Sequence, residues 1–310
     1  MKIYVGVTDF DWYKKLISIH SIDEVNFWQP GGNRLFHALK KGELFLFKLH
    51  SPRNYIVGGG FYAYSNILPL FLAWESFSEK NGAGSLEEMQ RRIEYYRRTK
   101  GDGAGDYSIG CVLLEQPFFF SESEWILIPE DWKPNIVQGK TYDTENSIGR
   151  KLWEDVRLRL QGQLYFLEGG LIAEQENRFG QPTLITPRLG QGSFRIIVTD
   201  VYKRRCAISK ERTLPVLEAA HIKPYKMDGP HDIGNGILLR SDLHILLDKG
   251  YLTFTPSYHI EVSRRIKKEF ENGRDYYAFH GLQLENLPDE KEHWPNLEYV
   301  NWHNNHVFLK

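Results

Sequence analysis

The sequence predicts an α+β protein of two domains, a strand-rich one first and a compact strand–loop–strand–helix module near the C-terminus. Three observations predict this. The chain has 310 residues, long for one compact domain. Its first part is built of short apolar and aromatic runs bounded by Gly, Pro and Asn. Its last third carries two short apolar runs followed directly by a helix-period pattern.

In the first part, Leu44–Leu49 and Tyr55–Val57 read as strands, and Gly58-Gly59-Gly60 permits a bulge or a close backbone approach. A helix is predicted over about Leu86 to Arg98, with Ser85 as N-cap. Strands follow near Ile109–Leu114 and Trp125–Ile128, giving a mixed domain of the small curled-barrel kind. A second helix spans about Ile148 to Leu164, where Leu152, Val156 and Leu160 recur at helical spacing among Arg150, Lys151, Arg157 and Arg159. Gly169 to Gly192, rich in Gly, Pro, Gln and Glu, reads as a linker. The domains are therefore placed at 1–145 and 193–310, with helix and linker over 146–192. In the second domain a helix near Phe194–Tyr202 precedes strands at Val216–Ile222 and Gly236–Leu239, and a further helix begins near Ser241, taken as its N-cap, with Asp242 in the first turn.

Composition narrows the function classes. Hydrophobic residues make up 41% and are scattered, so the chain can fill real cores. Aromatics at 14% also suit pockets that stack flat ligands such as bases. The net charge is −1, but Arg195 to Asp275 holds 15 Lys/Arg against 11 Asp/Glu, net +4, and Tyr276 to Lys310 holds 2 against 5, net −3. Phosphate binding depends on such local patches. The cysteines, Cys111 and Cys206, form no Cys-x-x-Cys pair, which excludes a thiolate zinc knuckle and a disulfide framework. Cys206 reads as a small buried hydrophobe. No apolar run approaches the length of a membrane span and no signal-peptide core opens the chain, so a cytoplasmic protein is expected.

The chemistry concentrates in Leu217-Glu218-Ala219-Ala220-His221-Ile222-Lys223-Pro224, Asn235-Gly236-Ile237-Leu238-Leu239 and Ser241-Asp242-Leu243-His244, closing with Asp248-Lys249-Gly250. His221 ends a strand, Asn235 begins one and His244 lies on the next helix, with gaps of 14 and 9 residues. Such a scaffold places two imidazoles around one small cavity. Phosphodiester hydrolysis needs a base for water and a divalent cation for the phosphate. A strand-end His titrates near neutrality and can be the base. A helix His can hold the metal, while Asn235 can brace the loop that carries the base. His231, His259, His280, His303 and His306 read as structural, and Arg264, Arg265, Lys267 and Lys268 as a solvated face or phosphate contacts.

This region resembles the HNH nuclease family, in the branch with a Cys-Ala-Ile-Ser start (Cys206 to Ser209) and a Glu-Ala-Ala-His-Ile core (Glu218 to Ile222), preceded here by Arg188 to Arg195. The likeness covers roughly Arg188 to Phe254 and implies a ββα-metal fold. It implies His221 as general base, Asn235 as structural residue and His244 as ligand to a divalent ion such as Mg²⁺ or Mn²⁺. Many HNH nucleases carry a ligand directly before the base, where this chain has Ala220. Glu218, two residues earlier on the same strand face, and Asp248, one helical turn beyond His244, are the further ligand candidates.

The first domain contains Asn26-Phe27-Trp28-Gln29-Pro30, Gly58-Gly59-Gly60-Phe61-Tyr62, Ala73-Trp74-Glu75-Ser76-Phe77 and Gly139-Lys140-Thr141-Tyr142. It is similar, over roughly Met1 to Tyr142, to PUA-like modules of the EVE type found fused to HNH domains in modification-dependent restriction endonucleases. That resemblance implies a reader that flips 5-methylcytosine or 5-hydroxymethylcytosine out of double-stranded DNA into an aromatic cage. Trp28, Tyr62 and Trp74 are the cage candidates; strand alternation sets Phe27 and Phe61 on the opposite face. Arg91, Arg92, Arg97 and Arg98 could flank the duplex. Cutting both strands requires two active sites, or one used twice, and a homodimer is the natural solution. The alternatives are an HNH nuclease reading an unmodified sequence and a DNA-binding protein with a decayed nuclease domain.

Overall fold

The computed structural model describes residues 1–32, 34–97, 107–167 and 189–310, with side chains of the longest helix described through 161. The chain folds as two compact units, Met1–Arg188 and Leu189–Lys310.

The first unit is organised on one mixed sheet. Its elements are β1 (Lys2–Thr8), α1 (Phe10–Ile17), β2 (Glu24–Gln29), β3 (Leu44–Leu49), β4 (Tyr55–Pro69), α2 (Leu70–Phe77), α3 (Leu86–Arg97), β5 (Ser108–Phe119), β6 (Ile126–Leu127), β7 (Gly139–Asp143) and α4 (Ser147–Leu167). The strand order is β2-β5-β4-β3-β1-β7, with β6 on β4. β1 and β3 run parallel and the other pairs antiparallel. β3 is buried along its whole length, which explains a continuous apolar run where a half-exposed strand would alternate. A Cβ on Gly59 would stand 2.6 Å from the Phe45 carbonyl oxygen, and the β4–β5 register shifts between Gly59 and Phe61. The triple glycine therefore serves both a close approach and a bulge.

Helices cover the sheet. Asp9 caps α1 by accepting from the Trp12 amide at 2.6 Å, and Ser85 accepts from the Glu88 amide at the start of α3. Trp12, Phe27, Phe45 and Phe47 meet edge-on and stacked in the interior. Leu152, Trp153 and Val156 of α4 pack with Ile3, Val5, Leu44 and Leu46, so this helix completes the first unit's core. Of the sequence-predicted linker, 169–188 lie outside the described residues, as does Arg98.

The second unit opens with α5 (Gln191–Val201), so Gln191 and Gly192 are helical rather than linker. It continues through β8 (Leu217–His221), β9 (Gly236–Arg240), α6 (Ser241–Asp248), β10 (Leu252–Phe254), β11 (Ile260–Val262), α7 (Arg265–Phe270), α8 (Arg274–Tyr277) and α9 (Leu297–His306). β8 and β9 form an antiparallel hairpin in which His221 faces Gly236 and Glu218 faces Leu239. Phe194 and Val198 of α5, Ile237–Leu239 of β9, and Leu243 and Leu247 of α6 share one core. The chain is an α+β protein, as its sequence predicts.

Two local expectations change. Ser241 is the first helical residue and its hydroxyl donates to Val216 O, so the N-cap position falls to Arg240, whose guanidinium pairs with Asp242 at 2.7 Å. Cys206 is fully buried, yet its sulfur accepts the amides of Arg240 at 3.3 Å and Ser209 at 3.4 Å. It pins the turn at the head of the unit to the start of α6, a role beyond filling space. Arg264, Arg265, Lys267 and Lys268 are exposed around the buried Ile266. No helix among the described residues is long and apolar enough to cross a membrane.

Candidate active site

The hairpin and α6 set the site. His221 is the last residue of β8 and is half-buried. Its ring stacks on Phe194 of α5, centroids 4.0 Å apart and planes 12° from parallel. Phe194 reaches it because the apolar face of α5 (Phe194, Val198) packs against the hairpin.

Asn235 is fully buried at the other end of the loop. Its Oδ1 accepts from the Lys223 amide at 2.8 Å, and its Nδ2 donates to the carbonyls of Lys223 and Pro230, both at 2.9 Å. The Asn235 carbonyl accepts from the Ile222 amide at 2.9 Å. One side chain thus closes the loop between the two strands and fixes the backbone just beyond His221. A Cβ on Gly229 would stand 1.8 Å from the Lys223 carbonyl oxygen, so that approach needs glycine.

His244 projects from α6 between two carboxylates. Its Nδ1 lies 2.6 Å from Glu218 Oε2 and its Nε2 lies 3.4 Å from Asp248 Oδ2. Both carboxylates are about half exposed. An imidazole with two carboxylates suits a divalent cation that retains water. The carboxylates address opposite nitrogens, so the trio is no ready tripod around one point. Ala220 is fully buried in the hairpin core. Among the described residues the one group whose three ligand atoms all lie within 4.8 Å of one another is Glu290, Glu292 and His293, not the His244 trio; the two glutamates are exposed near neighbours in the chain.

Sequence reasoning missed His231. Read as structural, it lies with its Nδ1 2.9 Å from His221 Nε2. Tyr225 stacks on it at 4.7 Å and 10°. A histidine four residues before Asn235, in the loop whose ends must converge, is the signal that could have found it. His303, also expected to be structural, is buried between Thr253 Oγ1 at 2.8 Å and Leu247 O at 2.9 Å.

Electrostatics sharpen the picture at His221. Burial, with the added repulsion of charge on His231 and His244, holds its pKa down to about 4 from the ordinary 6.5. The ring is therefore neutral at neutral pH and can accept a proton.

Residues 206–255 match the family model described as HNH endonuclease. The second unit carries an HNH endonuclease domain. The HNH match begins at Cys206 and ends one residue past β10, so it contains the hairpin, its loop and α6. No curated protein matches the chain. Among solved structures, ASCH from Zymomonas mobilis is 11% identical, with a TM-score of 0.34 over 49% of this chain and 94% of its own. A modification-dependent TagI restriction endonuclease is 12% identical, with a TM-score of 0.28 over 93% of this chain and 77% of its own.

The cage candidates lie on three elements, Trp28 on β2, Tyr62 on β4 and Trp74 on α2. Trp28 is buried, its indole N–H donating to Asn81 O at 2.9 Å. The Tyr62 ring meets Phe36 at 5.5 Å and its hydroxyl bonds Ser65. Among the described residues Trp28, Tyr62 and Trp74 make no ring contact with one another. Phe27 and Phe61 belong to the core. Arg97 donates to Pro30 O and Ser108 O, and Arg92 to Gly82 O, so both are engaged within the unit.

Proposed function

We propose that the protein is a modification-dependent, metal-dependent DNA endonuclease of the type IV-like restriction class. The supporting observation is the His221–Asn235–His244 arrangement on a hairpin and helix within the residues matched to HNH endonucleases. In this reading His221 takes the proton from the attacking water. Asn235 neither ionises nor attacks; it holds the loop and hence the base. His244 would hold the divalent ion, Mg²⁺ or Mn²⁺, and Asp248, facing its Nε2, is the candidate to join it. Glu218, at 2.6 Å from Nδ1, then orients the ring through the opposite nitrogen. The ion would supply charge neutralisation at the scissile phosphate and leaving oxygen.

The first unit is the reader in this proposal. Its support is the EVE-type sequence resemblance and an aromatic-rich sheet domain. The partner is double-stranded DNA carrying 5-methylcytosine or 5-hydroxymethylcytosine, with the base extruded into a cage. One 5-methyl group contributes only about 1 kcal/mol of burial, so the discrimination must come mainly from fit. A cytoplasmic homodimer with two sites would cut both strands.

The deciding experiment digests matched DNAs bearing cytosine, 5-methylcytosine, 5-hydroxymethylcytosine or its glucosylated form, with Mg²⁺, with Mn²⁺ and with chelator. Metal-dependent cutting of modified DNA alone supports both halves. Equal cutting of all substrates removes the reader, and no cutting with any metal removes the nuclease.

A further inference from the structure

The contact between His221 Nε2 and His231 Nδ1 is short, 2.9 Å, and directional. Two neutral imidazoles in such contact hold one proton between them, with one ring donating and the other accepting. The two arrangements differ in chemistry. If His221 donates from Nε2, its Nδ1 keeps a lone pair and can accept a proton. If His231 donates from Nδ1, the Nε2 lone pair of His221 is engaged and its own proton sits on Nδ1. No nitrogen of His221 is then left to act as base.

The surroundings hold both rings in place. His221 lies flat on Phe194, and His231 lies flat on Tyr225 with Phe194 at 5.6 Å. Pro230, directly before His231, is tied through its carbonyl to Asn235. Among the described residues no protein group hydrogen-bonds to His221 Nδ1, the nitrogen left for the reaction.

We infer that His231 is a positioning residue that accepts from His221 Nε2–H, fixing the tautomer in which Nδ1 is the basic nitrogen. This rests on the nuclease reading above. In the step it serves, a water O–H bond breaks and its proton goes to His221 Nδ1. The oxygen's electron pair forms the new bond to phosphorus, and the phosphorus–oxygen bond to the leaving group breaks with its pair going to that oxygen. The imidazolium so formed still donates to His231, now as a charge-assisted hydrogen bond and therefore a stronger one. A neutral, accepting His231 thus favours the proton transfer, whereas a protonated one would oppose it.

The test uses the full chain and two substitutions. His231→Phe keeps a flat ring beside Tyr225 and removes the acceptor. His231→Asn offers an amide oxygen in its place. His231→Phe is expected to lower kcat by about 10-fold to 100-fold with KM for DNA and Tm little changed, and His231→Asn to recover most of the loss. Long-range ¹H–¹⁵N correlation spectra of histidine-labelled wild-type protein should show His221 with hydrogen on Nε2 and none on Nδ1, and a mixture in His231→Phe. Wild-type kcat in His231→Phe, or an Nδ1–H tautomer of His221 in the wild type, would overturn the inference. Should the wild type cut no DNA at all, the nuclease reading falls by itself, and the tautomer spectrum still decides this assignment.

Discussion

Glu218 Oε2 and His244 Nδ1 stand 2.6 Å apart, joining the hairpin to the helix by one short contact. Glu218 lies on β8 and His244 one turn into α6, so the contact fixes the imidazole plane relative to the strand that ends in His221. Asp248 lies at the other nitrogen, 3.4 Å away. One imidazole nitrogen is thus taken for orientation while the other is available to an ion.

Removing the base should stop the reaction and spare binding. His221→Ala is expected to lower the cleavage rate by about 10²-fold or more, with the Kd for DNA nearly unchanged. Rate and gel-shift measurements on the purified variant check both. Cleavage at the wild-type rate would withdraw the base from His221.

The ligand residues should rank. Excess chelator is expected to abolish cutting. His244→Ala should raise the metal concentration needed for half-maximal cutting more than Asp248→Ala, and Glu218→Gln should raise it least, since Gln still accepts from Nδ1–H. Metal titrations of activity, with calorimetric metal binding as an independent readout, give the order. A silent Asp248→Ala beside a crippled Glu218→Gln would reverse the assignment of the two nitrogens.

For reading the modified base, Trp28 and Trp74 should behave differently. Trp28 is buried and its N–H is bound to Asn81 O, so Trp28→Ala should cost about 3–5 kcal/mol of stability and lower Tm. Trp74→Ala should keep Tm and salt dependence while losing the preference for modified over unmodified duplex, because stacking on a flipped base contributes about 1–3 kcal/mol and phosphate contacts are separate from it. Titrations on the cleavage-dead His221→Ala background at two salt concentrations, with melting curves, tell these apart. An unchanged preference in Trp74→Ala takes Trp74 out of the cage.

Acid should weaken the nuclease unit through His221. The unfolded chain protonates this histidine near 6.5, and the folded one only near 4. Between these values the unfolded state binds more protons, so stability falls as pH drops. The contribution is fully present above 6.5 and is lost on the way to about 4. His303 shifts in the same direction, chiefly by burial. His221→Phe, which preserves a ring on Phe194, should flatten the dependence of Tm on pH in that window; parallel curves for variant and wild type would refute the point.

Much of this was legible in the sequence because local pattern and tertiary role agree. The hairpin strands, α6 and α4 follow from apolar spacing, and the His–Asn–His order agrees with the HNH endonuclease match over residues 206–255. Other features depend on distant partners. His231 meets His221 only when the loop closes on Asn235, and its place four residues before Asn235 is the only local sign of that meeting. Ser241 has the chemistry of a cap, but the Val216 carbonyl draws its hydroxyl away. Trp28 reads from the sequence as a cage aromatic, while in the structure it is buried and its indole N–H is satisfied by Asn81 O. The α4 helix was visible as a helix, but its place in the first unit's core required the sheet to be built.

The two cysteines fall one to a unit, and each is buried: Cys111 in β5 and Cys206 under the start of α6. A thiol reagent therefore reaches each sulfur only when the surrounding structure opens. The rates at which the two sites are labelled, resolved by peptide mass, would report the opening of the sheet unit and of the nuclease unit as separate signals from one unmodified molecule. Added metal should slow labelling at Cys206 alone, and added modified DNA should slow it at both, so the protein carries its own gauge of which half a ligand steadies.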